Sequence, residues 1–146
     1  MLDDYQDLID ELLGTPKIFR DLLAKAGEGV PSEALALIAD LRDRDRVVLD
    51  RLQRMTRETS PHLKALPDAE TVAGQRTAAP GDAGDLIASF DIARGDLVSL
   101  LMNLTIKDWA RTATRDVGDI VTLADEVERH VEFDEEQVDR VRAALG

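Results

Sequence analysis

The last predicted helix carries two side chains capable of acid–base or metal chemistry on the face that should be buried. His130 and Asp134 lie four residues apart, within a stripe of apolar residues at three- and four-residue spacing. The apolar members of this stripe are Leu123, Val127, Val138, Val141 and Leu145. At about 100° per residue, Asp134 falls close to the centre of the stripe. Because a buried carboxylate is costly unless it is paired or bound to a metal, the pattern predicts a polar cluster inside the protein.

The second predicted helix is interrupted in the same way by Asp45. Asp45 lies at the centre of an apolar stripe formed by Ala34, Ile38, Leu41, Val48, Leu52 and Met55. Two carboxylates and an imidazole could bind a divalent cation, or one aspartate could work with His130 as an acid–base pair. The alternative is an internally satisfied ion pair that fixes the register of the helices, and we favour this structural interpretation.

Composition limits both the size and the partners of the protein. The 146 residues suit a single domain over 1–146, and the absence of cysteine excludes disulfides, thiolate ligands and cysteine nucleophiles. The formal net charge of -12 makes nucleic acid a poor partner, because such a surface repels phosphate. No apolar run approaches the roughly 20 residues of a membrane span, and the acidic N-terminus is unlike a signal peptide. We therefore predict a soluble cytoplasmic protein with no nucleic-acid or membrane partner.

Helical periodicity predicts four amphipathic helices and no strands. The helices are expected at Leu2 to about Lys25, Ser32 to about Glu58, Asp85 to Asn103 and Thr122 to Leu145, with Ser32 and Thr122 as caps. The Gly14-Thr15-Pro16 sequence predicts a break or kink in the first helix. The long segment 59–84 is rich in proline and glycine. The whole pattern indicates an all-α four-helix bundle with a long crossover between helices 2 and 3.

Arginines and aspartates alternate along the second helix, in the sequence DRDRVVLDRLQR at residues 43–54. Oppositely charged side chains three or four residues apart can pair along one helix. We therefore predict that these arginines form intrahelical pairs on an exposed face.

Three segments resemble the DinB-like superfamily of bacterial four-helix bundles, which includes the YfiT-type proteins. The segments are LIADLRDRDRVVLDRLQRM at 37–55, FDIARGDLVSLLMNLTIKDWAR at 90–111 and TLADEVERHVEFDEEQVDRVRAAL at 122–145. They resemble the family's second helix, its third helix with the following turn, and its last helix. The resemblance implies a four-helix bundle, a stress or detoxification setting, and pairing of two copies through helix faces.

The resemblance also implies a metal site, which the family builds from three histidines. One histidine lies on the second helix, and two lie four residues apart on the last helix, where they can share a cation. The matching positions in this chain hold Asp40, Phe133 and Gln137. Phe133 has no donor atom, so the usual site is expected to be lost. We expect no cofactor; the alternative is a divalent Zn, Ni or Mn ion, for which Asp40 and Gln137 are weak candidate ligands.

The family's second and last helices run antiparallel, and this arrangement brings Asp45 level with His130. We therefore expect at least one of Asp45 and Asp134 to contact His130, forming a candidate polar core site. The leading hypothesis is an atypical, homodimeric DinB-like protein that binds a small molecule or a partner protein without catalysis. The alternative is a metal-dependent thiol transferase or hydrolase with a rearranged site around Asp40, Asp45, His130 and Asp134. Catalytic residues and substrate are not predicted.

Overall fold

The computed structural model describes residues 2–116 and 118–146 of the chain. Within this part of the chain there are six helices and three short strands. In chain order the elements are α1 (Leu2–Ala26), α2 (Ser32–Arg57), β1 (His62–Leu63), α3 (Ala69–Gly74), α4 (Ala83–Met102), α5 (Ile106–Trp109), β2 (Thr112–Arg115), β3 (Ile120–Thr122) and α6 (Leu123–Leu145). The four long helices α1, α2, α4 and α6 correspond to the four helices predicted from the sequence.

The four long helices pack as a bundle. α1 contacts α4 and α6, and α2 contacts the same two helices. α1 and α2 therefore lie across a diagonal of the bundle, although only residues 27–31 connect them. Gln137 of α6 bonds to the Leu37 carbonyl of α2, whereas His130 meets Asp45. Because residue numbers fall along α6 as they rise along α2, these two helices run antiparallel.

The core consists of two apolar clusters. The first includes Leu12, Leu52, Leu97, Trp109 and Val127. The second includes Phe19, Ile38, Leu41, Phe90 and Val141. Each of the four long helices contributes to both clusters, so each must cross from one cluster to the other partway along its length. Thr15, Asp45 and Arg94, which are described below, each lie between a residue of one cluster and a residue of the other.

A break or kink was predicted at Gly14, Thr15 and Pro16; the first helix is continuous across these residues, so the break is wrong. Proline has no N–H, and it leaves the carbonyl four residues earlier without its usual helical donor. That carbonyl belongs to Leu12, and it accepts a hydrogen bond of 2.7 Å from the side chain of Arg94. A side chain of α4 therefore replaces the hydrogen bond that α1 lacks.

The two predicted helix caps differ in outcome. Thr122 caps α6 as expected: its hydroxyl accepts from the Asp125 backbone N–H, and the Asp125 carboxylate accepts from the Thr122 N–H. The capping role predicted for Ser32 is wrong, because Pro31 occupies the cap position of α2 and no side chain bonds there. Proline can open a helix because its fixed backbone angle suits this position and the first helical N–H groups lack helical partners in any case.

A small three-stranded sheet closes one end of the bundle, so the prediction of no strands is wrong. β1 pairs in parallel with β2, and β2 pairs antiparallel with β3, with Ala113 opposite Val121. Leu63, Ala113 and Val121 are buried in the first core cluster. The strands contain only two to four residues each. Such short strands cannot show the alternating pattern by which strands are recognised.

The connection from α2 to α4 covers residues 58–82 and contains β1 and α3, where an irregular crossover was predicted. Two arginines of α2 bind its backbone: Arg44 donates to the Pro67 carbonyl and Arg51 to the Lys64 carbonyl, each at 2.5 Å. The connection is therefore held against the side of α2. None of the helices within the described residues is long and apolar enough to cross a membrane.

Candidate functional site

Arg94 lies in the middle of the bundle interior. It follows Phe90 by four residues and precedes Leu97 by three, so helical geometry places all three side chains on the buried face of α4. Only 1% of Arg94 is exposed. Arg94 was not among the site residues predicted from the sequence, although this spacing was a signal that could have identified it.

The guanidinium of Arg94 forms ion pairs with both predicted core aspartates. Nε donates to Asp45 Oδ2 at 2.8 Å, and Nη2 donates to Asp45 Oδ1 at 3.0 Å. Nη2 also donates to Asp134 Oδ1 at 2.7 Å. Both carboxylates are buried. Because each carboxylate has a compensating cation within hydrogen-bonding distance, the cost of burying its charge is offset inside the protein.

Two groups of α1 complete this network. The Leu12 carbonyl, free of a helical donor, accepts from Arg94 Nη1. The buried hydroxyl of Thr15 donates to Asp134 Oδ2 at 2.6 Å. Both contacts come from the segment around Pro16 that was expected to interrupt the helix. The network formed by Thr15, Asp45, Arg94, His130 and Asp134 is called the polar centre below.

His130 joins the polar centre through Asp45. Its Nε2 lies 2.6 Å from Asp45 Oδ1, and only 1% of its side chain is exposed. The expected contact between an aspartate and His130 is therefore present, while Asp134 contacts Arg94 and Thr15 instead. An Nε2 that bonds to a carboxylate carries a proton. The other ring nitrogen, Nδ1, is buried and has no hydrogen-bond partner among the described residues.

The pKa values in the polar centre separate its two aspartates. Burial would raise the pKa of Asp45, but the hydrogen bond to His130 and the charge of Arg94 outweigh burial and hold this pKa below its ordinary value. Burial prevails at Asp134 and raises the pKa of that carboxyl, although Arg94 and Thr15 act in the opposite direction. The fold therefore stabilises the ionised form of Asp45 more than the ionised form of Asp134.

The three positions at which the resemblance implies metal ligands make other contacts. Asp40 Oδ2 accepts from Arg76 Nε at 2.7 Å. The ring of Phe133 lies under the guanidinium of Arg44, 4.0 Å from the ring centroid. The side-chain nitrogen of Gln137 donates to a backbone carbonyl of α2 at 2.9 Å. One carboxylate held by an arginine, one hydrocarbon ring and one neutral amide thus stand where three imidazoles are expected.

These residues do not fit the metal site that the resemblance implies. A zinc-type site needs at least three nitrogen, sulfur or oxygen ligands from the protein. Within residues 2–116 and 118–146, no group of three or more His, Cys, Asp and Glu side chains is placed to hold a metal ion. In the polar centre, the guanidinium of Arg94 lies between the carboxylates of Asp45 and Asp134, where a cation shared by both would have to lie.

A cavity of about 100 Å³ lies between α2 and α6, next to the polar centre. It is lined chiefly by charged side chains: Arg44, Arg51, Arg115, Glu126, Arg129 and His130. This space is called the arginine cavity below. None of its residues except His130 was predicted as a site residue.

The arginine cavity corrects the prediction made for the arginines of α2. Arg46 pairs with Asp43, three residues earlier, on the exposed side of the helix, as predicted. Arg51 instead is 7% exposed and pairs across the bundle with Glu126, whose Oε2 accepts from Nε and Nη2 at 3.2 and 2.9 Å. The prediction of exposed intrahelical pairs is therefore wrong for Arg51.

The prediction of exposed intrahelical pairs is also wrong for Arg44, which covers Phe133 and binds the α2–α4 connection. Arg44, the buried Val48 and Arg51 follow one another at spacings of four and three residues. This spacing puts the three side chains on one helix face and was a signal for their shared position.

The fold and the polar centre define a class of protein: a four-helix bundle whose interior is held together by a buried ionic network. Among solved structures, the fold is similar to that of YfiT from Bacillus subtilis, described as a probable metal-dependent hydrolase with an unusual four-helix bundle topology. The similarity has a TM-score of 0.79 and covers 99% of this chain and 87% of YfiT, at 15% sequence identity. The chain therefore has the YfiT-like fold that the resemblance implied. Comparison of its sequence with protein-family models and with curated proteins gives no match.

Proposed function

We propose that this chain is a metal-independent binding protein that uses the YfiT-like bundle without catalysing a reaction. The observation that supports this proposal best is the position of Arg94. Its guanidinium bonds to both buried aspartates and supplies the positive charge that a metal ion would otherwise supply. Arg94 balances the charge of the two carboxylates but brings no catalytic chemistry, since guanidinium is neither a Lewis acid nor a proton donor near neutral pH.

The ligand site of this binding protein is the arginine cavity between α2 and α6. The metal positions implied by the resemblance lie between the same two helices, on α2 at Asp40 and on α6 at Phe133 and Gln137. Phe133 and the cavity share one residue, since Arg44 covers the Phe133 ring and lines the cavity. We propose that the bundle keeps a ligand site in this groove and holds it with arginines. The stress or detoxification setting is part of the same proposal.

The alternative is a metal-dependent transferase or hydrolase, and the description of YfiT as a probable metal-dependent hydrolase favours it. In this chain such an enzyme would need a rearranged site around Asp40, Asp45, His130 and Asp134. Asp40 is bound to Arg76, and the oxygens of Asp45 accept from Arg94 and His130. A metal would have to displace these partners, and it would leave Arg94 buried with fewer of them.

Metal analysis distinguishes the two functions. The protein is purified without chelators and without a histidine tag, and its Zn, Ni and Mn contents are measured by mass spectrometry. We expect far less than one metal ion per chain and no change of melting temperature when EDTA is added. One metal ion per chain that disappears in His130→Ala would refute metal independence and support the enzyme.

We also propose that the protein is a homodimer, formed through the face of α1 and α4. A groove of about 590 Å³ runs between these helices, and Leu13 and Met102 beside it are 55% and 66% exposed. Arg20 and Asp91 pair at the same groove, so the face carries both charges and can complement a second copy of itself. Light scattering should give twice the chain mass for the wild type and for the control Ile120→Glu, and the chain mass for Met102→Glu. A monomeric wild type would contradict the proposal.

A further inference from the structure

The arginine cavity concentrates positive charge in a protein that is otherwise strongly acidic. The chain carries a formal net charge of -12, yet four arginines and a single carboxylate line this space. They come from three parts of the fold: Arg44 and Arg51 from α2, Arg115 from β2, and Arg129 from α6. Acidic residues are plentiful in the sequence, so the fold could have paired each arginine with one.

Two of the four arginines form ion pairs with carboxylates of the described residues. Arg51 bonds to Glu126, and Arg115 bonds to Asp119. Arg44 and Arg129 form no ion pair with any carboxylate of the described residues. Burial and the nearby charge of Arg51 lower the pKa of Arg44 to about 10, which reflects positive charge that the surroundings do not fully compensate.

Two buried polar atoms of the same lining residues also have no partner. His130 Nδ1 and Glu126 Oε1 are shielded from solvent and form no hydrogen bond within the described part of the chain. A buried polar atom without a partner is costly, so native structures rarely contain two of them in one place. The residues that line the cavity therefore include two arginines without a carboxylate partner among the described residues and one buried acceptor without a donor, Glu126 Oε1.

The size of the cavity limits what can bind there. A volume of about 100 Å³ admits several water molecules, or one compact group of about five heavy atoms. Guanidinium groups bind oxyanions through paired N–H···O bonds. The oxyanion must also bring a hydrogen of its own, because Glu126 Oε1 can only accept and would repel a fully deprotonated anion.

We propose that the arginine cavity binds a small oxyanion carrying a hydroxyl or acidic hydrogen, of the kind found in hydrogen phosphate and in short hydroxycarboxylates. Arg44 and Arg129 supply the uncompensated charge, Glu126 Oε1 accepts the hydrogen of the ligand, and His130 Nδ1 gains a partner. This inference rests on the proposed function, since it names the ligand class of the metal-independent binding site.

Phosphate is the first probe. Isothermal titration at pH 7 and constant ionic strength compares sodium phosphate, glycolate and sodium sulfate, in buffers free of metal. We expect saturable binding of phosphate or glycolate, and weaker binding of sulfate, which carries no hydrogen at this pH. Removing one charged donor should weaken the affinity about tenfold in Arg129→Gln and in Arg44→Gln. Arg46→Gln removes the same charge from α2 outside the cavity, and it should change the affinity less than about twofold.

A second measurement locates the ligand. The chain has two histidines, His62 and His130, so their ring nitrogens can be assigned by comparison with a His62→Gln variant. His62 is exposed and bonded to Asp116, and it is not one of the residues that line the cavity. Phosphate or glycolate bound in the cavity should shift the His130 Nδ1 resonance and leave the His62 resonances unchanged.

The outcomes separate this inference from the proposed function. The inference fails if neither phosphate nor glycolate binds saturably, if Arg46→Gln weakens binding as much as Arg129→Gln, or if His130 Nδ1 does not respond. The metal-independent function fails separately, if one metal ion per chain is found. A metal-free protein that binds only a neutral or cationic compound would overturn the oxyanion inference and leave the proposed function in place.

Discussion

The polar centre and the arginine cavity lie next to each other, but they differ in whether their charged groups have oppositely charged partners. In the polar centre, each of the three guanidinium nitrogens of Arg94 donates a hydrogen bond to a buried acceptor. In the arginine cavity, Arg44 and Arg129 have no carboxylate partner among the described residues, and two buried polar atoms are unbonded. The charge of Arg94 is thus balanced by two buried carboxylates, whereas the charges of Arg44 and Arg129 are not balanced by a carboxylate within the described residues.

This difference indicates that the polar centre and the arginine cavity have different roles. The polar centre lies where the four long helices pass from one apolar cluster to the other: Thr15 falls between Leu12 and Phe19, and Arg94 between Phe90 and Leu97. A complete ionic network at such a boundary can only be made at one register of the helices, so it specifies how they align. The charges of Arg44 and Arg129, which have no carboxylate partner among the described residues, contribute nothing comparable to the alignment, and they remain available to a ligand.

His130 belongs to both regions. Its Nε2 bonds to Asp45 in the polar centre, and its ring lines the arginine cavity with Nδ1 unbonded. The position of the cavity wall is therefore fixed by the same network that aligns the helices. A substitution in the polar centre can alter the cavity by moving the His130 ring. A substitution of a cavity arginine, in contrast, breaks no bond of the polar centre.

The largest effect is expected from Arg94→Met. This change leaves Asp45, Asp134 and the Leu12 carbonyl buried without their donor, and removing one partner of a buried ion pair costs about 3–5 kcal/mol. The free energy of unfolding, measured by urea denaturation at pH 7, should fall by that amount. Arg94→Lys keeps the charge but not the paired N–H groups, so it should lie between Arg94→Met and the wild type.

The matched control for Arg94 is Arg20→Met on α1. Arg20 pairs with Asp91, but the two side chains are 50% and 41% exposed. Exposed pairs contribute about 0–1 kcal/mol, so this variant should unfold at nearly the wild-type urea concentration. Equal losses in Arg94→Met and Arg20→Met would show that the polar centre does not hold the bundle together.

The next largest effect is expected as a difference in stability between variants of the two core aspartates. The lowered pKa of Asp45 means that its ionised form stabilises the fold above the unfolded-state pKa of about 3.9, and that this stability is lost as the pH falls through the folded-state pKa. The raised pKa of Asp134 has the opposite sign: its ionisation costs stability above that pKa. At pH 7, Asp45→Asn should therefore lose about 3 kcal/mol or more, and Asp134→Asn less than about 1 kcal/mol.

Urea denaturation at pH 7, 5 and 3 tests this difference. The gap between the two variants should narrow at pH 3, because the carboxyl of Asp45 is then protonated in more of the unfolded chains than of the folded ones, and its contribution to stability declines. A loss in Asp134→Asn as large as that in Asp45→Asn at pH 7 would mean that the assigned direction for Asp134 is wrong.

The helices and part of the polar centre could be predicted because they depend on local spacing. His130, Asp134 and Asp45 are conspicuous since a polar residue in an apolar stripe breaks a pattern within one helix. Arg94 sits in a stripe too, but a long arginine side chain on an apolar face is usually expected to reach solvent. Only the packed bundle shows that it ends at two aspartates of other helices.

The remaining features depend on contacts between distant parts of the chain. Pro16 was expected to break α1, and no local rule shows that Arg94, 78 residues later, would bond to the carbonyl that the proline leaves free. The arginine cavity joins α2, β2 and α6, and the strands were too short to be recognised. Residues brought together in this way leave no periodic signal in the sequence.

The smallest effect on stability is expected in the arginine cavity itself. Arg129 is exposed and has no carboxylate partner among the described residues, and three further arginines line the same space. Arg129→Gln removes one of several like charges and breaks no bond of the polar centre, so the free energy of unfolding in phosphate-free buffer should change by less than about 0.5 kcal/mol. Arg46→Gln, which breaks the exposed pair with Asp43, should lose as much or slightly more. A loss above about 2 kcal/mol in Arg129→Gln would place this arginine among the groups that hold the fold, and the contrast between the two regions would then be wrong.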